Sequence, residues 1–403
     1  MSEFDRKELI LMSEIRNRFE STFHTAPTHV FSAPGRTELS GNHTDHQHGR
    51  VLAAAVELDT RAAVALNGTS VIRVLSEGYS LLCEVDLNDL AVRPGEKNTT
   101  AALIRGVAAG FVQRGCTLAG FDAYVTSTVL PGSGLSSSAA FEVLLGTAID
   151  RLFSCGVGAV EIAKIAQYAE NVYFGKPCGL MDQMASSVGG CVAIDFADPA
   201  APVITPVDFD FSACGHALCI IDSGASHADL TDEYAAVPGE LAAVTACFGK
   251  TALRDVPEAD FYATLQRIRP AVGDRAILRA IHVYDENRRV EAQVTALQRG
   301  DFDTFLHYVN LSGFSSQNLL QNVIPTGATA HQEVALALAL ARHLLGGRGA
   351  CRVHGGGFAG TIQAFVPNDM LADFHAGMEA MLGAGSCHVL AIRPTGGTEL
   401  QGK

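Results

Sequence analysis

The chain has 403 residues, 48% of them hydrophobic, which is enough for two or three packed domains and far from a disordered composition. A formal net charge of -14 excludes a nucleic-acid binder that works through a basic footprint, but not an anionic ligand held by backbone NH groups. Ten scattered cysteines without a CxxC pair, and no export signal, predict free thiols in a reducing cytoplasm.

The opening stretch MSEFDRKELILMSEIRNRF mixes both charges and lacks the uncharged apolar core of a secretion signal. Met12, Ile15, Phe19 and Phe23 fall on one face, which predicts an amphipathic helix. Residues 28–75 then alternate short β-like runs (HVFSAP, VLAAAVEL, RAAVALNG, VIRVL) with turns. Residues 99–115 predict a helix, 121–129 a strand, 137–153 and 159–174 two helices, and 191–196 a strand. The densest proline stretch, ADPAAPVITP at 197–206, predicts the border between an N-terminal lobe, 1–205, and a C-terminal lobe, 206–403. Beyond it come a strand at 217–222, helices that include 274–299 and 328–344, and strand–turn patterns at 350–366 and 387–393. The pattern is α+β with two lobes. The longest apolar run, 334–341, is far too short to cross a bilayer, so no membrane partner is expected.

Four stretches carry chemistry. In GNHTDHQHG, 41–49, three histidines and one aspartate occupy six positions between glycines. A transition metal is one reading, but zinc usually needs a closed ligand set and partners that orient its ligands. In LPGSGLSSSAAFEVLLGTAIDRLF, 130–153, Gly132 and Gly134 permit close backbone approach and three serines lead into an apolar helix. This is either an anion cradle at a helix start or a serine N-cap after a tight turn. It is not a Walker loop, which would carry a lysine. In GKPCGLMDQMASSVGG, 175–190, Asp182 opens a helical pattern behind Gly175, Pro177 and Gly179. By itself it reads as an aspartate favoured by the helix dipole, and Glu170 upstream reads as surface or metal-binding. In CRVHGGGFAGTIQAFVP, 351–367, four glycines in six positions precede a strand. Close packing against a ligand or another lobe explains that entropic cost.

Taken in order, GRTELSGNHTDHQHG, PGSGLSSSAA, GLMDQ and HGGGFAG resemble the galactokinases of the GHMP small-molecule kinase superfamily, over residues from about 28 to about 366. The resemblance implies a two-lobed GHMP-kinase-like fold with the active site between the lobes. It implies ATP and a free sugar as substrates and a sugar 1-phosphate as product. Asp182 would be the catalytic aspartate, with Arg36 beside the transferred phosphoryl group. His43 and Asp45 would hold sugar hydroxyls, with Asn42, Gly179 and Tyr234 beside them. Gly132, Ser133, Gly134, Leu135, Ser136, Ser137 and Ser138 would form the ATP phosphate loop. Mg²⁺ would be held by Ser137 or Ser138 together with Glu170. The histidine-rich loop then reads as sugar-binding, with His46 and His48 as supporting or surface residues. The expected ligands are a small-molecule sugar, ATP and Mg²⁺, and the expected compartment is the cytoplasm; the oligomeric state is not readable from the sequence, with a monomer favoured.

The chemistry fits the residue types. Phosphoryl transfer needs positioning and stabilised charge more than covalent help. Mg²⁺ commonly takes only one or two protein oxygens. Asp182 would accept the proton of the C1 hydroxyl or simply orient it, and Arg36 would offset growing negative charge and hold Asp182 ionised.

The chain departs from the family pattern Gly-Arg-x-Asn-x-x-Gly-Glu-His-Thr-Asp-Tyr. Glu38 replaces the asparagine, Asn42 the glutamate that faces the C6 hydroxyl, and His46 the tyrosine. A carboxylate only accepts hydrogen bonds and would repel a C6 carboxylate, whereas an amide also donates. Asn42 therefore admits a uronic acid such as galacturonate. His354 and Ala359 alter the glycine motif, and SSQNLLQNVIP replaces the expected Asp-Tyr-Glu-Val-Ser segment. The leading expectation is a galactose 1-kinase, and the alternative is a kinase for galacturonate or another galactose-like sugar. A non-catalytic sugar sensor is the reading from another class. The intact serine loop, Arg36 and Asp182 count against it.

Overall fold

The computed structural model describes residues 3–129, 134–176, 178–226 and 230–401. The chain builds two sheets. The first contains β1 (His29–Ser40), β2 (Arg50–Leu66), β3 (Val71–Ser76), β4 (Cys83–Asp86), β5 (Phe121–Ser127), β6 (Cys191–Asp195) and β7 (Val203–Val207). The second contains β8 (His216–Ala225), β9 (Ala350–Val353), β10 (Gly360–Pro367) and β11 (Cys387–Leu390), in the antiparallel order β11-β8-β10-β9. A short β12 (Thr398–Glu399) returns to the first sheet and pairs with Phe31 and Ser32 of β1. The first sheet runs β12-β1-β2-β5-β3-β4, with β6 bridging β2 and β7.

One expectation needs correcting. VLAAAVEL and RAAVALNG are not separate runs, since β2 is one strand from Arg50 to Leu66. The polar Asp59 in its middle does not force a turn. It is buried and accepts hydrogen bonds from Ser32 Oγ at 2.6 Å and Arg61 Nε at 2.9 Å. The proline stretch, expected as the border between the lobes, contributes to the first sheet. Its second half is β7, an edge strand paired, among the described residues, only with β6, where Pro206 can be tolerated despite its missing NH. The chain therefore leaves the first sheet after Val207, and β12 brings its C-terminal end back.

The helices are α1 (Glu3–Phe23), α2 (Thr100–Gln113), α3 (Ser137–Leu152), α4 (Gly158–Tyr168), α5 (Met181–Val188), α6 (Thr231–Ala246), α7 (Glu258–Val272), α8 (Asp274–Gln298), α9 (Phe302–Ser315), α10 (Glu333–Leu345) and α11 (Leu371–Leu382). The predicted face of α1 buries Met12, Ile15 and Phe19 against Val30, Ala63 and Tyr124. α2, α3 and α4 cover the first sheet through Phe111, Leu144 and Ile165. α10 and α11 cover the second through Leu338 and Met378. Val290 of α8 and Phe305 of α9 share a core with Leu52 of the first sheet and Phe365 of the second, which locks the two sheets together.

α2 packs unusually close to the end of α4. A Cβ on Gly106 of α2 would lie 2.7 Å from Ala169, so only glycine permits this approach. Ala169 opens a wide π turn, Ala169–Phe174, that continues α4. Such turns are frequent at functional sites, and this one carries Glu170. No helix among the described residues is long and apolar enough to cross a membrane.

Candidate active site

Pairing between β1 and β2 slips between Pro34 and Arg36. Irregularities of this kind re-aim side chains, and Arg36 reaches the first turn of α5, where Asp182 stands. Arg36 Nε donates to Asp182 Oδ1 and Nη2 to Oδ2, both at 2.6 Å. Nη1 donates to the carbonyl of Gly134 in the serine loop. Burial alone would lower the Arg36 pKa and raise that of Asp182. Their mutual attraction and paired hydrogen bonds outweigh it, so Arg36 moves up and Asp182 moves down. Asp182 is thus a carboxylate at neutral pH, with 29% of its side chain open to solvent. So weak a base suits orienting a hydroxyl and taking its proton late.

Ser136 adopts a left-handed φ of 59° directly before α3, and Ser137 and Ser138 form its first turn. The helix start therefore faces the Arg36–Asp182 pair, as an anion cradle requires. Leu135 is buried in the core and its carbonyl accepts from Arg36 N at 3.0 Å, so it can meet a phosphate only through its backbone. Gly132 and Ser133 lie outside the described residues.

Of the two serines expected near a metal, Ser138 meets Glu170, its Oγ donating to Oε1 at 3.3 Å. Gln183 Nε2 donates to Glu170 Oε2 at 2.8 Å and to Glu142 Oε2 at 3.3 Å. Glu142 Oε1 and Gln183 Oε1 are buried without a hydrogen-bond partner. Burial, with Glu170 beside it, pushes the Glu142 carboxyl well above its ordinary value. A hard-oxygen set with two orphaned polar atoms fits Mg²⁺ and its water shell. Among the described residues no group of three or more His, Cys, Asp or Glu is arranged to hold a metal by itself. A sparse site of this kind suits an ion that arrives with phosphates. The sequence reading missed Glu142 and Gln183. Glu142 lies four residues after Ser138 on one helix face, and that spacing was the available signal.

The 41–49 loop is pinned by α8. Glu286 Oε1 on α8 accepts from Gly41 N at 3.0 Å and Ser40 Oγ at 3.1 Å, and Arg289 Nε donates to Oε2 at 2.6 Å. Burial opposes charge on Glu286, yet Arg289 holds its pKa well below the carboxylate range. At the tip, His43 Nε2 lies 3.0 Å from the carbonyl of Gly356 and Nδ1 lies 3.3 Å from His46 Nε2. Burial lowers His46 to about 4, so it is neutral. Asp45 Oδ1 accepts from His46 N at 2.8 Å. A Cβ on Gly179 would fall 2.0 Å from Asp45 Oδ2, so the GLMDQ stretch touches the loop only because position 179 is glycine. Tyr234 OH donates to Gly357 O at 2.7 Å. His43, Asp45, Gly179, Tyr234 and the 355–357 loop therefore meet.

The departures from the family pattern form one buried cluster. Glu38 Oε1 accepts from Arg352 Nη2 at 2.5 Å and from Asn42 Nδ2 at 3.1 Å. Asn42 Nδ2 also donates to Gly355 O at 2.5 Å, and its Oδ1 accepts from Asn322 Nδ2 at 2.7 Å. Asn322 belongs to the SSQNLLQNVIP segment. His354 Nε2 faces Thr37 Oγ1 at 3.1 Å and Glu38 N at 3.3 Å. Burial lowers His354 to about 3, so it too is neutral. Relative to the family pattern, carboxylate and amide have changed places between positions 38 and 42 and remain in contact. Asn42 is 1% exposed, and its amide is engaged by Glu38, Gly355 and Asn322.

A cavity of about 770 Å³ lined by Val207, Phe209, Phe211 and Ile392 contains none of these residues. Converging polar groups locate the site better than volume does.

The galactokinase galactose-binding signature matches residues 17–66, and the GHMP kinases N terminal domain matches residues 102–190. A galactokinase of Streptomyces coelicolor is 35% identical over 291 residues, covering 71% of this chain and 73% of its own. The chain belongs to the galactokinase family. Its fold is similar to that of Lactococcus lactis galactokinase complexed with galactose, with TM-score 0.81 and 24% identity over 97% of this chain and 100% of the other. It is also similar to a D-glycero-D-manno-heptose 1-phosphate kinase from Bacteriodes thetaiotaomicron, with TM-score 0.63 and 16% identity over 93% and 99% of the two chains. Arg36, Asn42, His43 and Asp45 fall inside the galactose-binding signature. The serine loop, Glu170 and Asp182 fall inside the GHMP domain.

Proposed function

We propose that this member of the galactokinase family transfers the γ-phosphoryl group of ATP to the C1 hydroxyl of galactose. The observation that carries the reading is the Arg36 guanidinium. It binds Asp182 through two nitrogens and the Gly134 carbonyl of the serine loop through the third. That ties the acceptor's carboxylate to the donor's phosphate loop.

In the transfer, the bond from the γ phosphorus to the β–γ bridging oxygen breaks and a bond to the sugar O1 forms. The hydroxyl proton passes to Asp182 or to solvent, and ADP leaves. Ser138 and Glu170 are the residues suited to hold Mg²⁺, which neutralises phosphate charge when bound. Asp182 orients the hydroxyl, Arg36 keeps Asp182 ionised, and His43 and Asp45 position the sugar.

The engaged amide of Asn42 favours galactose over a uronate. The test is ADP release with ATP and Mg²⁺ against galactose, N-acetylgalactosamine, galacturonate, glucuronate, arabinose and glucose. Turnover led by galactose supports the reading. Turnover led by a uronate overturns the sugar assignment, and binding without turnover on every sugar overturns the catalytic one.

A further inference from the structure

We propose that Lys176 is a phosphate-binding residue of this reaction, moving from the Glu170 carboxylate to oxygens of the transferred phosphoryl group once metal-bound nucleotide engages Glu170. The inference rests on the kinase reading. Lys176 Nζ lies 3.3 Å from Glu170 Oε1, the same oxygen that accepts from Ser138 Oγ. A dication on that oxygen repels an ammonium, so one of the two must move. The mobile partner is the lysine, whose side chain is 62% exposed while that of Glu170 is 3% exposed.

The backbone beneath it is fixed. Gly175 N and Lys176 N donate to the Glu170 carbonyl at 2.9 and 3.2 Å. A flexible cation thus stands on a rigid base.

Its surroundings give its destination. Lys176 is attracted both to Glu170 and to Asp182. One of these carboxylates is suited to the metal, the other to the acceptor hydroxyl, and the phosphoryl group passes between them. Three of the five Arg36 N–H groups are already engaged by Asp182 and Gly134, which leaves two for the charge that develops on the phosphoryl oxygens. A lysine acts as a compact, movable point charge on phosphate.

Calorimetry of the full chain with Mg²⁺ and a non-hydrolysable imido analogue of ATP tests this, alongside steady-state kinetics. Lys176→Met is expected to weaken analogue binding and to lower kcat/KM for ATP, each by about tenfold or more. Lys176→Arg should recover part of both, and the KM for galactose should stay within about twofold of wild type. Lys250→Met, at an exposed lysine far along the chain, should match wild type. Lys176→Met binding the analogue as tightly as wild type, or more tightly, would overturn the proposal and leave Lys176 as a competitor of the metal. If wild type binds the analogue but phosphorylates no sugar, the kinase reading fails while the affinity ratio still decides Lys176. If wild type binds no nucleotide, both fall.

Discussion

Asn42→Glu probes the exchanged pair at the back of the sugar loop. The substitution places a second carboxylate in contact with Glu38, which in the native chain accepts from Asn42 at 3.1 Å. Both positions are buried, and Arg352, itself fully buried, is the cation paired with Glu38. An unpaired charge in such a place costs about 3–5 kcal/mol. Protonating the introduced carboxyl instead requires a shift of about three pKa units, or roughly 4 kcal/mol, so the two routes agree. The thermal midpoint should fall by about 4–6 °C. The sign with pH follows from a raised folded pKa. The defect is smallest below the ordinary glutamate value of about 4.3 and grows as pH rises through the folded value. Glu38→Asn alone leaves Arg352 buried and unpaired, at a similar cost of about 3–5 kcal/mol. The double exchange Glu38→Asn with Asn42→Glu keeps one carboxylate and one amide and should recover more than half of the summed loss. Thermal and urea unfolding of the four proteins would measure the coupling. An Asn42→Glu protein as stable as wild type, or a double exchange no better than the sum of the singles, would refute the reasoning.

Asp182→Asn should lower kcat by about 10²–10⁴-fold while galactose affinity, read by calorimetry, changes little. Because the Asp182 pKa is depressed, the Arg36–Asp182 pair contributes fully above the ordinary aspartate value of about 3.9 and is lost as pH falls through the lower folded value. An acid limb of kcat centred near pH 6 would belong to another group. Gly179→Ala forces a methyl group onto Asp45. Galactose affinity should fall about tenfold or more with analogue affinity unchanged, and equal losses of both would mean a general collapse. Chelation of Mg²⁺ should abolish turnover reversibly, and turnover surviving chelation would end the metal role of Ser138 and Glu170.

The parts legible in the sequence were those fixed by local pattern. The face of α1, the strand at 191–196 and the serine loop followed from periodicity and glycine placement. His43, Asp45 and Asp182 needed four separated motifs read together, because each alone fits a surface role. Non-local relations were not legible. Nothing near Asp59 tells that Ser32 and Arg393 also satisfy it inside one long strand. Pro206 signals a break unless β7 is known to be an edge. Only the fold brings Asn322 and Gly355 onto the amide of Asn42. The contact of Lys176 with Glu170 likewise depends on the π turn that carries Glu170.

The most direct test of the central claim is phosphorus NMR on the product formed from ATP, Mg²⁺ and galactose labelled with ¹³C at C1. Transfer to the C1 hydroxyl predicts a monoester phosphorus coupled to the labelled carbon, appearing with ADP in equal amount. A monoester uncoupled to C1, or ADP without any sugar phosphate, would contradict it.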